Sequence, residues 1–170
     1  MTTAAATLAD GFANPTVGES GVLNSVFNGT TWDRQRGMSG ALTTGDTGAK
    51  TATGNGATQT NVGNKGAQIV VNMGAVSGTT PTAVLKLQGS VDGGTTWYDI
   101  PGATTASLTA TGVFGITVYP GIAVTAGTTT TGTTAMASAV LPRSWRVVWT
   151  IGGTTPSFTI TNIQVNYLPN

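Results

Sequence analysis

AVLKLQGSVDGGTTWYDI, residues 83–100, is the stretch whose reading decides the fold. Leu85, Leu87, Gly89 and Val91 alternate with Val84, Lys86, Gln88 and Ser90, the two-residue period of a strand with one buried and one wetter face. Asp92-Gly93-Gly94-Thr95 supplies residues that tolerate positive φ, as a tight reversal requires. Trp97, Tyr98 and Ile100 then form a second strand returning beside the first. The stretch reads as a β-hairpin.

The composition extends that reading to the whole chain. Its 170 residues suffice for one domain with a real core, not for two ordinary ones. Only 8% are charged against 39% hydrophobic, and 25 are glycine. Threonine, about 35 residues, makes up roughly a fifth of the chain. Threonine is β-branched and favours strands, and glycine favours turns and edges. No long run of helix formers at a 3.6-residue period interrupts this pattern. The expected class is all-β.

Downstream of the hairpin, Phe114, Ile116 and Val118 alternate up to the turn signature Tyr119-Pro120-Gly121. Residues 126–139, rich in Thr, Gly and Ala, read as a long loop of the functional or mobile kind. Trp145, Val147, Trp149 and Ile151 then face one way while Arg146, Val148 and Thr150 face the other. Gly152-Gly153-Thr154-Thr155-Pro156 reads as a turn. Phe158 and Ile160 share one parity, and Ile163, Val165 and Tyr167 the other. That change predicts a β-bulge near Thr161-Asn162, because a one-residue slip would otherwise expose half the strand.

Upstream, Gln68–Met73 is strand-like, and Ser77-Gly78-Thr79-Thr80-Pro81 reads as the turn into the hairpin. Strands at this spacing indicate two antiparallel sheets packed as a jelly-roll-like β-sandwich over residues 67–170. Burying Trp97, Phe114, Trp145, Trp149, Phe158 and Tyr167 would contribute on the order of 2–3 kcal/mol each. Residues 1–66 have too few large apolar side chains to offset the entropy of forming their own core. They read as an extended N-terminal arm, with residues 40–66 as a low-complexity linker. Within the arm, Asn28-Gly29 between two β-prone flanks signals a short hairpin around residues 26–34. Phe12, Val22, Leu23, Phe27, Trp32, Arg34 and Arg36 are its candidate contacts to a neighbouring molecule, which for a virion protein of the kind resembled below would be the capsid or another copy of the chain. For the arginines, beside Asp33, the plainer reading is a charge-protected hairpin edge, and the functional one is docking on an acidic surface. The plainer reading is preferred, since exposed charges are usually just solvated.

The chain lacks the residues that most chemistry needs. With no cysteine there is no disulfide or thiolate chemistry, and with no histidine the commonest general base and metal ligand are missing. A net charge of +1 leaves no electrostatic footprint for nucleic acid or an anionic membrane. MTTAAATLAD lacks the basic start and apolar core of a signal peptide, and no apolar run is long enough to cross a bilayer. A soluble protein made in a cytoplasm is expected. Asp10, Glu19, Asp33, Asp46, Asp92 and Asp99 are the whole acidic supply. They form no paired-carboxylate, Ca²⁺-loop or phosphate-loop pattern. No catalytic residue, cofactor or metal site is expected.

Ser90, Asp92, Gly94, Thr96 and Trp97 match the Asp-box, S-x-D-x-G-x-T-W, a motif of sialidases and many other β proteins. The resemblance implies a structural hairpin, in which Asp caps turn amides, Gly takes φ > 0 and Trp covers the base. A stacking platform for sugar is the competing use of the loop aromatics, with Tyr98 and Tyr119 its best candidates.

Three segments together resemble virion proteins of tailed bacteriophages. They are Phe27-Asn28-Gly29-Thr30-Thr31-Trp32-Asp33-Arg34-Gln35-Arg36-Gly37, the hairpin Leu87–Ser90 with Trp97–Ile100, and Val118-Tyr119-Pro120-Gly121 with Leu141-Pro142-Arg143-Ser144-Trp145-Arg146-Val147. The resemblance implies a structural component of the particle. Small β-sandwich members of this kind fit a capsid decoration, or cement, protein. Its expected partners are the major capsid protein and further copies of itself, in a homotrimer, on the outer surface of the virion. The alternative is a tail or adhesion module that binds host glycan through its loops.

Overall fold

The computed structural model describes residues 25–27, 32–34, 39–41, 44–124 and 134–169. They form β1 (Ser25–Phe27), β2 (Trp32–Arg34), β3 (Ser39–Ala41), a 3-10 turn (Thr44–Asp46), β4 (Gly48–Lys50), β5 (Gly54–Asn55), β6 (Gln59–Thr60), β7 (Gly66–Ser90), β8 (Tyr98–Thr104), β9 (Gly112–Val118), β10 (Thr134–Ala137) and β11 (Ser144–Leu168). The class is all-β. β1 and β2 pair with each other antiparallel, Phe27 opposite Trp32. The other nine strands belong to one mixed sheet.

The sheet is built on β7 and β11, each 25 residues long and paired antiparallel from end to end. A straight strand of that length would span about 80 Å. Yet Trp145, near the start of β11, meets Tyr167, near its end, edge to face with ring centroids 6.3 Å apart. The ribbon therefore folds back on itself. The fold lies where Gly78-Thr79-Thr80-Pro81 on β7 is paired with Gly153-Thr154-Thr155-Pro156 on β11, Thr79 opposite Thr154.

The two tetrapeptides are conformational copies. Gly78 and Gly153 have φ of 116° and 110°, and Thr80 and Thr155 have φ of 48° and 46°. A Cβ on Gly78 would lie 2.7 Å from the Thr155 carbonyl oxygen, and one on Gly153 would lie 2.6 Å from that of Thr80. Each glycine makes room for the other strand's left-handed threonine. Both segments were expected to be turns. They keep the local signature of a turn, positive φ beside proline, but each finds its partner in the other and bends the ribbon without reversing the chain.

The crease divides the sheet into two layers with one core. Ala67, Ile69, Val71 and Met73 of β7, Phe158, Ile160, Ile163 and Val165 of β11, and Phe114, Ile116 and Val118 of β9 come from the first layer. Ala83, Leu85, Leu87, Trp145, Val147 and Trp149 come from the second, with Ile100 and Ala103 of β8. Trp145, Phe158, Ile69, Met73, Leu85 and Leu87 are fully enclosed. Truncating such a side chain to alanine typically costs about 2–5 kcal/mol. The parity change in β11 is met as expected: the register slips between Ile160 and Asn162, opposite a slip at Gly74. Trp97 falls outside the strand and is only half-buried, because β8 begins at Tyr98.

Three further expectations are corrected. Residues 48–60 are not linker: β4, β5 and β6 pair in succession along β11, and β3 continues the line. Gly, Ala, Thr and Asn suffice there because the contacts are made by backbone at a sheet edge. The strip follows β11 around the crease and crosses the domain boundary expected at residue 66. Part of the expected 126–139 loop is β10, and β10 pairs with β9 in parallel, so the sheet is not purely antiparallel. Residues 125–133 lie outside the described residues.

Gly78→Ala and Gly153→Ala should destabilise the protein by similar amounts, about 1–3 kcal/mol each in urea unfolding. Thr80→Asn, which suits the left-handed region better, should raise stability by up to about 1 kcal/mol.

Candidate functional site

The hairpin 83–100 carries the densest polar chemistry. Its loop is organised by Asp92. Ser90 Oγ donates to Asp92 Oδ1 at 2.7 Å, and the backbone amides of Thr95 and Thr96 donate to the same oxygen at 3.1 and 2.9 Å. Thr96 N also reaches Oδ2 at 3.0 Å, and Gly94 N donates to Ser90 Oγ at 2.8 Å. Gly93 and Gly94 take φ of 76° and 100°. The Ser90 hydroxyl, foremost, and the loop amides hold the Asp92 carboxyl far below the ordinary carboxylate range. A carboxylate so engaged fixes the conformation of its loop.

Outside the loop a row of side chains crosses three strands. Arg146 on β11 is the register partner of Gln88 on β7, and Gln88 that of Asp99 on β8. Arg146 donates to Gln88 Oε1 from Nε and Nη2 at 3.0 and 2.7 Å. Gln88 Nε2 donates to Asp99 Oδ1 at 2.8 Å, and Lys86 Nζ pairs with Asp99 Oδ2 at 2.8 Å. The Lys86 and Gln88 hydrogen bonds lower the Asp99 carboxyl. The Arg146 guanidinium lies 4.1 Å from the Trp97 ring centroid, a cation–π contact. A Cβ on Gly94 would sit 3.2 Å from the same ring. Trp97 is thus covered by Arg146 and packed beside the loop backbone. Tyr98 differs: its ring lies across Gly89 next to Pro142 and remains 44% exposed.

Asp46 is of another kind. It ends the 3-10 turn and is sealed from solvent. Ala57 N donates to its Oδ1 at 2.7 Å, while Oδ2 has no partner. Lys50, whose Nζ donates to the Gly45 and Thr47 carbonyls and lies 4.5 Å from the Trp149 ring centroid, stands nearby. Burial raises the Asp46 carboxyl, against the lowering pull of the Ala57 amide and Lys50. The carboxylate ties the two limbs of the strip across the crease.

Among the site residues expected from sequence, Ser90, Asp92, Gly94, Thr96 and Trp97 come together in one loop. Phe27, Trp32 and Arg34 lie in β1 and β2, while Phe12, Val22, Leu23 and Arg36 lie outside the described residues. The Arg146–Gln88–Asp99–Lys86 row was not anticipated. Its signal was the wet parity of Lys86, Gln88 and Arg146, which identified polar positions but not their alignment. Asp46 gave no signal, lying in a stretch read as linker. Among the described residues no group of three or more His, Cys, Asp or Glu side chains could hold a metal ion. No helix among them is long and apolar enough to cross a membrane. No protein-family model, curated protein or solved structure matches the chain.

The three carboxylates give opposite pH responses. Asp92 and Asp99, lowered in the fold, stabilise it above the ordinary value of 3.8, and that stabilisation is lost as pH falls through their folded pKa values. Asp46, raised in the fold, contributes fully below 3.8, and its contribution is lost as pH rises through its folded pKa. Thermal melts of Asp46→Asn from acid to neutral pH should therefore lack the decline above 3.8 and keep the acid limb. Asp92→Asn should weaken the acid limb alone.

Proposed function

We propose that this chain is a structural protein of a tailed-phage particle, a capsid decoration protein that binds the outer surface of the head shell and bridges neighbouring capsid subunits. The folded sheet is read as a jelly-roll-like β-sandwich, and residues 1–38 as the arm that reaches a neighbouring subunit.

The observation that carries this reading joins sequence to structure. Two of the three segments resembling phage virion proteins, far apart in the chain, are packed together. Ser90 pairs with Ser144, Pro142 and Tyr98 meet over Gly89, and Arg146 covers Trp97. On this reading the residues that carry the resemblance maintain one structural unit, the hairpin loop against the start of β11. The polar groups there stabilise the fold, as suits a component whose work is to hold a shape. A cement protein binds many equivalent sites, and an oligomer carrying several arms turns weak single contacts into high total affinity. A homotrimer over threefold positions is the geometry preferred on shell symmetry.

A second reading rests on Tyr98, whose exposed ring beside Pro142 offers one aromatic face to a sugar. On that reading the chain is a glycan-binding module of a tail or adhesion device.

Copy number separates the two: quantitative mass spectrometry of purified particles should find hundreds of copies for a shell protein, against a few dozen at most for a tail module. Deleting residues 1–38, which spares β3, should abolish shell binding while leaving the melting transition in place. Stoichiometric binding by the truncated chain would refute the role of the arm. Glycan retention lost in Tyr98→Ala would favour the second reading.

A further inference from the structure

The two poles of the folded sheet differ in chemistry. At the creased pole, segments 77–82, 105–111 and 152–157 contain only Ser, Gly, Thr, Pro, Ala and Leu. In the strip beside the crease, Asp46 is sealed and Lys50 is held on two carbonyls. At the opposite pole the ends of β7 and β11 gather the loops 61–65, 91–97, 119–124 and 138–143.

Three of those loops are tied to one another, and 91–97 is held by Asp92. Asn61 N donates to the Arg143 carbonyl at 2.7 Å, and Leu141 N to the Lys65 carbonyl at 3.0 Å. Asn61 Nδ2 reaches the Leu141 carbonyl at 2.9 Å, and Gly121 N reaches Ser138 Oγ at 3.0 Å. On this fixed framework stand four of the six large apolar side chains that the described residues leave exposed: Val91 at 88%, Val124 and Val140 at 63%, and Tyr98. Scattered surface valines need no explanation, but their concentration on one pole does.

The same pole is basic. Lys65 and Arg143 are exposed, and neither side chain has an ion-pair partner among the described residues. The carboxylates here are committed, Asp92 to the loop amides and Ser90, and Asp99 to Lys86 and Gln88. Free cations flanking apolar side chains on a hydrogen-bonded framework combine the apolar centre and charged rim of a protein interface, with little ordering cost on binding.

We propose that this pole is the docking surface of the chain, and that its partner is a protein surface with an apolar seat edged by carboxylates. The choice of partner rests on the particle reading above; on it, the seat lies on the outer face of the head shell and the creased pole points away.

The test uses heads and tails purified separately from particles lacking this chain, and the full-length chain at increasing salt. Wild type should co-sediment with heads, and more weakly as salt rises. Val91→Ser/Val140→Ser and Lys65→Glu/Arg143→Glu should each lose at least tenfold in affinity, and in the charge-reversed chain residual binding should no longer weaken as salt rises but strengthen. Val113→Ser, at an exposed position on β9 opposite Asn72 and towards the crease, is the control and should bind as wild type. Unchanged melting transitions would show that each variant folds. If wild type binds heads and the pole variants bind equally well, the docking surface is wrong and the decoration reading stands. If wild type binds tails instead and the pole variants lose that binding, the docking surface stands and the decoration reading falls. Binding to neither overturns both.

Discussion

The structure depends on one reciprocal contact, the place where Gly78 and Gly153 each admit the left-handed threonine of the opposite strand. A two-stranded ribbon with no second layer has nothing to bury its apolar face against and is marginal in water. Bending it through the crease lets its two halves cover each other. Ile69 and Leu87 can then belong to one core although they lie on the same strand. The strain of two β-branched residues in the left-handed region is small beside the apolar surface enclosed.

The remaining strands follow from that bend. The strip from β3 to β6 keeps to the edge of β11 around the corner, paired in pieces of two or three residues. Such interrupted pairing leaves little continuous edge for another chain to extend. Asp46 holds the strip where it turns, with a buried carboxylate whose second oxygen has no partner. Burial makes this group favour its neutral form, while the exposed hairpin carboxylates favour the charged one. Acid and base therefore act on different parts of the same fold.

The polar groups of the hairpin end are occupied with one another: Asp92 with its loop, Asp99 with Lys86 and Gln88, and Arg146 with Gln88 and Trp97. What this pole presents to its surroundings is instead Val91, Val140, Lys65 and Arg143. An apolar centre with a charged rim is the composition on which the proposed docking rests.

Local periodicity alone determined much of this protein. The alternation in Leu85–Leu87 and in Trp145–Trp149 depends only on which face of a strand is buried. The bulge at Thr161 follows from a parity that cannot otherwise be kept, and the Asp92 loop from contacts within seven residues, Ser90 to Thr96. Tertiary structure decided whatever depends on a distant partner. Gly-Thr-Thr-Pro has the dihedral preferences of a turn, and only pairing with its second copy makes it a crease. Residues 48–60 have backbone amides but almost no apolar side chains, so nothing in their sequence announces the strand they run beside. Asp46 became a buried carboxylate only because that strip closes over it, and no pattern of neighbouring residues encodes such a closure.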